Sequence, residues 1–134
     1  MFTDTKMPPA ELLAALDQFS GSERLYRHWM KRIRFSEGVK FLADNAGAYW
    51  LIDLIASWQI KPKVRGEEFQ VWILKVDRDH PPSKPMAYAR CYNDTPEPDN
   101  ANQVCVQGIP YTDFPLDEIT LWLVDGTLML PGEY

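Results

Sequence analysis

Apolar residues recur every three or four positions over the first half of the chain and change to near alternation over the second. That switch predicts helices first and strands afterwards. Residues 8–19, PPAELLAALDQF, place Leu12, Leu13, Leu16 and Phe19 on one helical face, with proline suited to the first turn. SGS at 20–22 ends that helix. A second helix starts at SEGVKFLADNAG, where Ser36 offers its hydroxyl as N-cap. Val39, Leu42, Ala43 and Ala46 share its face, and Gly47 suits the left-handed stop. A third helix runs from Ala48 to Gln59 and is apolar nearly all round, as a central buried helix would be. KPK at 61–63 closes it. Residues 23–35, ERLYRHWMKRIRF, fit two patterns. Tyr26, Trp29, Met30 and Ile33 have helical spacing, whereas Ile33 and Phe35 suit a strand, and we read a turn followed by an extended end.

Strands are predicted at 67–77, 86–93, 102–111, 118–124 and 127–130. Asp125-Gly126 between the last two is a strong hairpin signal. The expected fold is a single α+β domain over residues 1–134, with N-terminal helices packed on one face of a C-terminal antiparallel sheet of about four to five strands. Strand 67–77 is apolar on both sides: Phe69, Val71 and Ile73 on one, Trp72, Leu74 and Val76 on the other. Around Trp122 the pattern repeats, with Ile119, Leu121 and Leu123 against Trp122 and Val124. Such strands are usually covered twice. The plainer expectation is that the N-terminal helix covers the second face. Otherwise an open face holding Trp72 and Trp122 becomes a partner or homodimer surface.

At 134 residues the chain suits one domain with a real core. It holds no run of about 18 apolar residues, so no membrane span is expected. Its start, MFTDTKMPPAELL, lacks the pattern of a secretory signal, which points to a cytoplasmic protein. The net charge of −5 disfavours nonspecific nucleic-acid binding by the whole surface. The charge is uneven, however. Arg24, Arg27, Lys31, Arg32 and Arg34 crowd one segment with no acid, while residues 86–134 carry eight acids and one base, Arg90.

Asp53 is the lone charge in NAGAYWLIDLIASWQ, residues 45–59. A carboxylate in a buried helix needs a partner or its pKa rises. An acid–base site with His28 or Tyr49 is one reading. The other is a structural anchor to Arg27, Arg34 or a backbone amide, holding the basic segment against the central helix. His28, in YRHW, suits a packed histidine, and His80 a solvated one in its Pro-rich loop. The segment RLYRHWMKRIRF also suits phosphate contacts by Arg24, Arg27, Lys31, Arg32 and Arg34, with bases stacked on Tyr26 or Trp29. Against that, charge of this kind protects an edge strand. Asp94, Glu97, Asp99, Asp113, Asp117 and Glu118 fall mostly in loops near sheet ends, where carboxylates either solvate a loop or enter a partner's basic groove. If 86–93 and 102–109 form a hairpin centred near Pro98, Cys91 and Cys105 lie opposite each other, as free thiols in a reducing compartment or as a disulfide. No metal or cofactor site is expected: two isolated cysteines and two histidines make no zinc pattern, phosphate-loop and hydrolase motifs are absent, and DRD at 77–79 matches DxD only formally.

YRH at 26–28, SEGVKFLADNAGAYWLIDLIASWQ at 36–59, EEFQVW at 67–72 and TDFPLDEITLWLVDGTLMLPGEY at 112–134 resemble a family of small uncharacterised proteins encoded by bacteriophages, prophages and plasmids. The resemblance covers most of the chain and implies a mobile element in a bacterial host cell. It implies no activity and no catalytic residue. The expected function is therefore a non-enzymatic interaction protein that binds a host protein, such as a nucleic-acid-handling or CRISPR-type defence enzyme. Trp72, Trp122, Asp94, Glu97, Asp99, Asp117 and Glu118 would form its surface. Two alternatives remain: a nucleic-acid-binding accessory protein using the basic segment, and a small enzyme centred on Asp53, His28 and Tyr49.

Overall fold

The computed structural model describes residues 6–21 and 24–134, so residues 1–5, Ser22 and Glu23 of the stretches read above lie outside it. Four helices are formed: α1 (Pro9–Leu16), α2 (Glu37–Ala46), α3 (Tyr49–Trp58) and α4 (Pro62–Arg65). The strands are β1 (Leu25–Arg27), β2 (Arg34–Ser36), β3 (Phe69–Val76), β4 (Ala87–Tyr92), β5 (Gln103–Ile109), β6 (Glu118–Val124) and β7 (Thr127–Met129). They make one seven-stranded sheet in the order β1-β2-β7-β6-β3-β4-β5.

The α+β class holds, but the sheet is larger than expected and mixed. β2 runs parallel to β7, while every other pair is antiparallel. The two added strands come from the basic segment, which forms a hairpin rather than a turn with one extended end. Each is three residues long, too short for alternation to register. β2 finds β7 far along the chain, a partner that local periodicity does not reveal. The helices are accordingly N-terminal only in part, because β1 and β2 precede α2, α3 and α4. KPK opens a short helix, since a proline at the first helical position starts a helix as readily as it ends the previous one.

Local signals place the other elements. Ser36 Oγ accepts the Val39 N–H at 3.2 Å, and Gly47 ends α2 with a left-handed φ of 61°. Asp125 and Gly126 have φ of 48° and 80°, the positive pair that a type I′ hairpin turn requires. Gly38 lets the C-terminal tail close over α2. Glu133 accepts the Ser36 hydroxyl at 2.6 Å and the Gly38 N–H at 3.1 Å, placing a carboxylate at the helix's N-terminal end. A Cβ at Gly38 would stand 2.5 Å from that carboxylate.

One face of the sheet carries the core. Trp72, Leu74, Ala89, Leu121, Leu123 and Leu128 pack with Leu42, Leu51 and Ile55 of the helices. Into this core the chain sinks two glutamines. Gln70, 1% exposed, and Gln59, 4% exposed, exchange two amide hydrogen bonds of 2.9 Å. Gln70 Nε2 also donates to Val64 O at 2.8 Å, and its Oε1 accepts the Trp72 indole N–H at 2.9 Å. β3 is thereby fastened to the end of α3 and to α4.

Two substitutions test these ties by denaturant unfolding. Gln70→Leu strands Gln59 Oε1 and the Trp72 N–H, and should cost at least about 2 kcal/mol, as buried polar groups without partners do. Gly38→Ala should cost about 1–3 kcal/mol through the clash with Glu133 and Leu130. A Gln70→Leu protein as stable as the wild type would contradict the assigned network.

Candidate binding surfaces

Asp53 stands on α3 facing the β1–β2 turn. It is half-exposed, its side chain 50% accessible, because the β1–β2 hairpin borders that side of α3 without sealing it. Its Oδ1 receives His28 Nε2 at 2.6 Å and the Trp29 indole N–H at 3.0 Å. Asp53 is therefore not the buried carboxylate expected, and it contacts the basic segment through His28, the partner named in the acid–base reading, and Trp29, not through Arg27 or Arg34. On its other side His28 accepts the Met30 N–H through Nδ1 at 3.2 Å. That bond places the imidazole hydrogen on Nε2, towards Asp53. Both ring nitrogens of the buried imidazole are therefore engaged, and neither is free to take a proton from a substrate. Tyr49 does not join them. Its hydroxyl donates to Asp44 at 2.5 Å, and Lys40 bonds the same carboxylate at 2.7 Å. Burial and the Asp44 bond push the Tyr49 phenol up. Burial works against ionised Asp44, yet the bonds from Lys40 and Tyr49 outweigh it and hold that carboxyl below the usual range.

The basic residues gather at one end of the sheet. Arg27, Lys31, Arg32 and Arg34 line a shallow depression with Ile33, Asp125 and Gly126. None of these four side chains makes an ion pair among the described residues. Trp29 stands beside them, 73% exposed. Arg24 keeps its backbone N–H on Glu37 at 3.1 Å.

Among the described residues no α-helix lies over the opposite face of the sheet, and α1 lies with α2 instead, sending Leu12 and Leu16 into the core. The expected cover by the N-terminal helix is therefore not found. Trp72 and Trp122 also part company. Trp72 pairs with Leu121 and Trp122 with Val71, and facing neighbours share a side. Trp72 thus lies under the helices, 2% exposed, and cannot be a surface residue. Trp122 is on the uncovered face. It meets Phe69 and Tyr134 edge-on, with ring centroids 5.2 and 5.4 Å away, and Tyr134 is 74% exposed. Beside this cluster a cleft of about 520 Å³ is lined by Ile73, Lys75, Arg90, Tyr92, Pro96, Asn100 and Glu118. Arg90 stacks over Tyr88 at 4.6 Å, and Lys75 faces Glu118 at 3.9 Å.

The loop after β4 borders that cleft. Asn102 organises it, accepting the Glu97 N–H at 2.9 Å and donating to Thr95 O at 3.0 Å. Asp94, Glu97 and Asp99 are exposed on it. Asp117 points away and pairs with Arg78 at 3.1 Å, and Asp113 is held below the usual carboxylate range by the Lys6 bond. His80 stays in its loop, its Nδ1 near Lys84 O. Cys91 and Cys105 are directly opposed, as the strand spacing required, and both are free. The facing Cys105, together with burial, pushes the Cys91 thiol up, while the facing Cys91 holds Cys105 below the ordinary thiol range.

Sequence reasoning missed Phe69 and Tyr134 as partners of Trp122, and the cleft residues Arg90 and Tyr92. Alternation along β3 carried a signal for Phe69. Nothing local announced Tyr134, which arrives through the turn at Pro131–Glu133.

These features define an α+β protein with a one-sided seven-stranded sheet, and no described helix is long and apolar enough to cross a membrane. The chain belongs to a family of unknown function, DUF6876, whose model matches residues 10–134. No curated protein and no solved structure matches it significantly.

The His28 arrangement has a direct test. Long-range 15N NMR of the neutral imidazole should find the hydrogen on Nε2 and an unprotonated Nδ1. A hydrogen on Nδ1 would break the assigned bond from Met30. Asp53→Ala should cost about 1–3 kcal/mol on denaturation, since it leaves the buried Nε2–H without its acceptor.

Proposed function

We propose that this is a non-enzymatic interaction protein that binds another protein through the uncovered sheet face. The observation that carries this reading is the aromatic cluster of Phe69, Trp122 and Tyr134 on a face that no helix covers. Large aromatic side chains at the centre of a patch are the usual anchors of protein interfaces. The border favours a partner with basic residues. Lys75 and Arg90 already have partners within the chain, whereas Asp94, Glu97 and Asp99 present open carboxylates beside Glu118. Asp117 contributes less, because Arg78 holds it.

The setting follows from the resemblance to proteins of bacteriophages, prophages and plasmids. In that setting the partner is a host protein of the bacterial cytoplasm, with a nucleic-acid-handling or defence enzyme as the first target to examine. The unpaired cluster of Arg27, Lys31, Arg32 and Arg34 beside Trp29 favours a second reading, a nucleic-acid-binding accessory protein. The third, a small enzyme at Asp53, His28 and Tyr49, loses its support because Tyr49 turns to Asp44 and His28 has no free nitrogen.

A tagged pull-down from host lysate, with and without nuclease, separates the first two readings. The protein-binding reading expects one dominant protein that survives nuclease. Trp122→Ala should weaken that complex by about tenfold or more, while Arg32→Glu leaves it intact. Retention lost to nuclease and to Arg32→Glu, with Trp122→Ala harmless, would replace it with the nucleic-acid reading.

A further inference from the structure

The sheet ends in two edges of different character. At one end β1 is three residues long and closes with Arg27, and Arg34 is its neighbour across the hairpin. Short length and charge are how an edge is kept from pairing with other chains. At the other end β5, QVCVQGI, is seven residues long and has no charged residue and no proline. Val106, Gln107 and Gly108 in its middle are exposed.

The direction of its free backbone groups follows from the ladder. The N–H of Asp77 donates to Met86 O, and the N–H of Val76 donates to Asp117 O. Backbone groups alternate sides along a strand. Tyr88 and Arg90 therefore bond β3, while Ala87, Ala89 and Cys91 bond Ile109, Gln107 and Cys105. The N–H of Asn93 donating to Asn102 O continues this sense past the bulge at the end of β4. Only Met86, where the ladder frays before β4, also turns its N–H to Pro110 O. On β5 the groups of Val106 and Gly108 then face the open edge, while Val104 is the extra residue of the bulge.

We propose that this edge pairs with the same edge of a second copy, joining two sheets into one across a two-fold axis at Val106. Antiparallel pairing about that residue sets Val106 against Val106 and Val104 against Gly108. The open N–H and C=O of Val106 then meet their complements at the axis, with no like charges apposed on the strands. The flanks complement each other too. The acidic loop with Asp94, Glu97 and Asp99 precedes β5, while Lys84, next to the Pro85 that touches Gly108, lies at the far end without an ion pair among the described residues. Antiparallel pairing brings the acidic end of one copy towards Lys84 of the other. The inference is independent of the protein-binding reading, and the dimer would carry both uncovered faces on one continuous sheet.

Light scattering and sedimentation of the full chain test it, with hydrogen exchange as a second readout. The wild type should approach twice its 15.5 kDa chain mass as concentration rises. The Val106 amide should exchange more slowly in concentrated than in dilute solution. Val106→Glu should abolish the dimer while keeping the fold, because Arg90 faces position 106 within the chain, whereas the dimer would oppose two carboxylates. A wild type that stays monomeric, with Val106 exchange independent of concentration, would overturn the proposal. So would a dimer that a folded Val106→Glu protein still forms.

Discussion

The side chain of Gln70 holds β3, α3 and α4 in one arrangement, and the two-sided character of the sheet follows from it. β3 is apolar on both faces, so hydrophobicity alone does not decide which side receives the helices. The amide exchange with Gln59, the bond to Val64 O and the indole bond from Trp72 make that choice. An amide with these partners can be buried at little cost, whereas the same amide turned to the other face would lose all of them. Once Gln70 and Trp72 face the helices, Phe69, Val71 and Ile73 must face the other way.

That second face is the proposed binding surface. Its apolar side chains are shielded only by one another, by Tyr134 and by the loop that carries Asp94, Glu97 and Asp99. The basic end of the sheet is a separate region, tied down by Asp53 through His28 and Trp29. The edges differ too: β1 is short and charged, while β5 is long and neutral.

Much of the architecture was legible because it is locally encoded. Ser36 as cap, Gly47 as stop, the Asp125-Gly126 turn and the faces of β3 and β6 all follow from neighbouring residues. Cys91 opposite Cys105 followed from strand spacing. The rest depends on contacts that cross the chain. β1 and β2 are too short to show a period, and β2 is a strand because β7 accepts it. Trp72 and Trp122 look alike in sequence, yet the register of β3 against β6 sends them to opposite sides. His28 was legible as a partner of Asp53, but Trp29 was not, because the β1–β2 turn rather than an arginine reaches the carboxylate. Gln59 and Gln70 carried no pattern at all, since a buried amide is recognised only by what it bonds.

Hydroxyl-radical footprinting of the free chain, read residue by residue by mass spectrometry, tests the central claim most directly. The one-sided sheet predicts modification of Tyr134 and Trp122 and protection of Trp72. Protection of Trp122 equal to that of Trp72 would mean that the second face is covered, and would contradict the account.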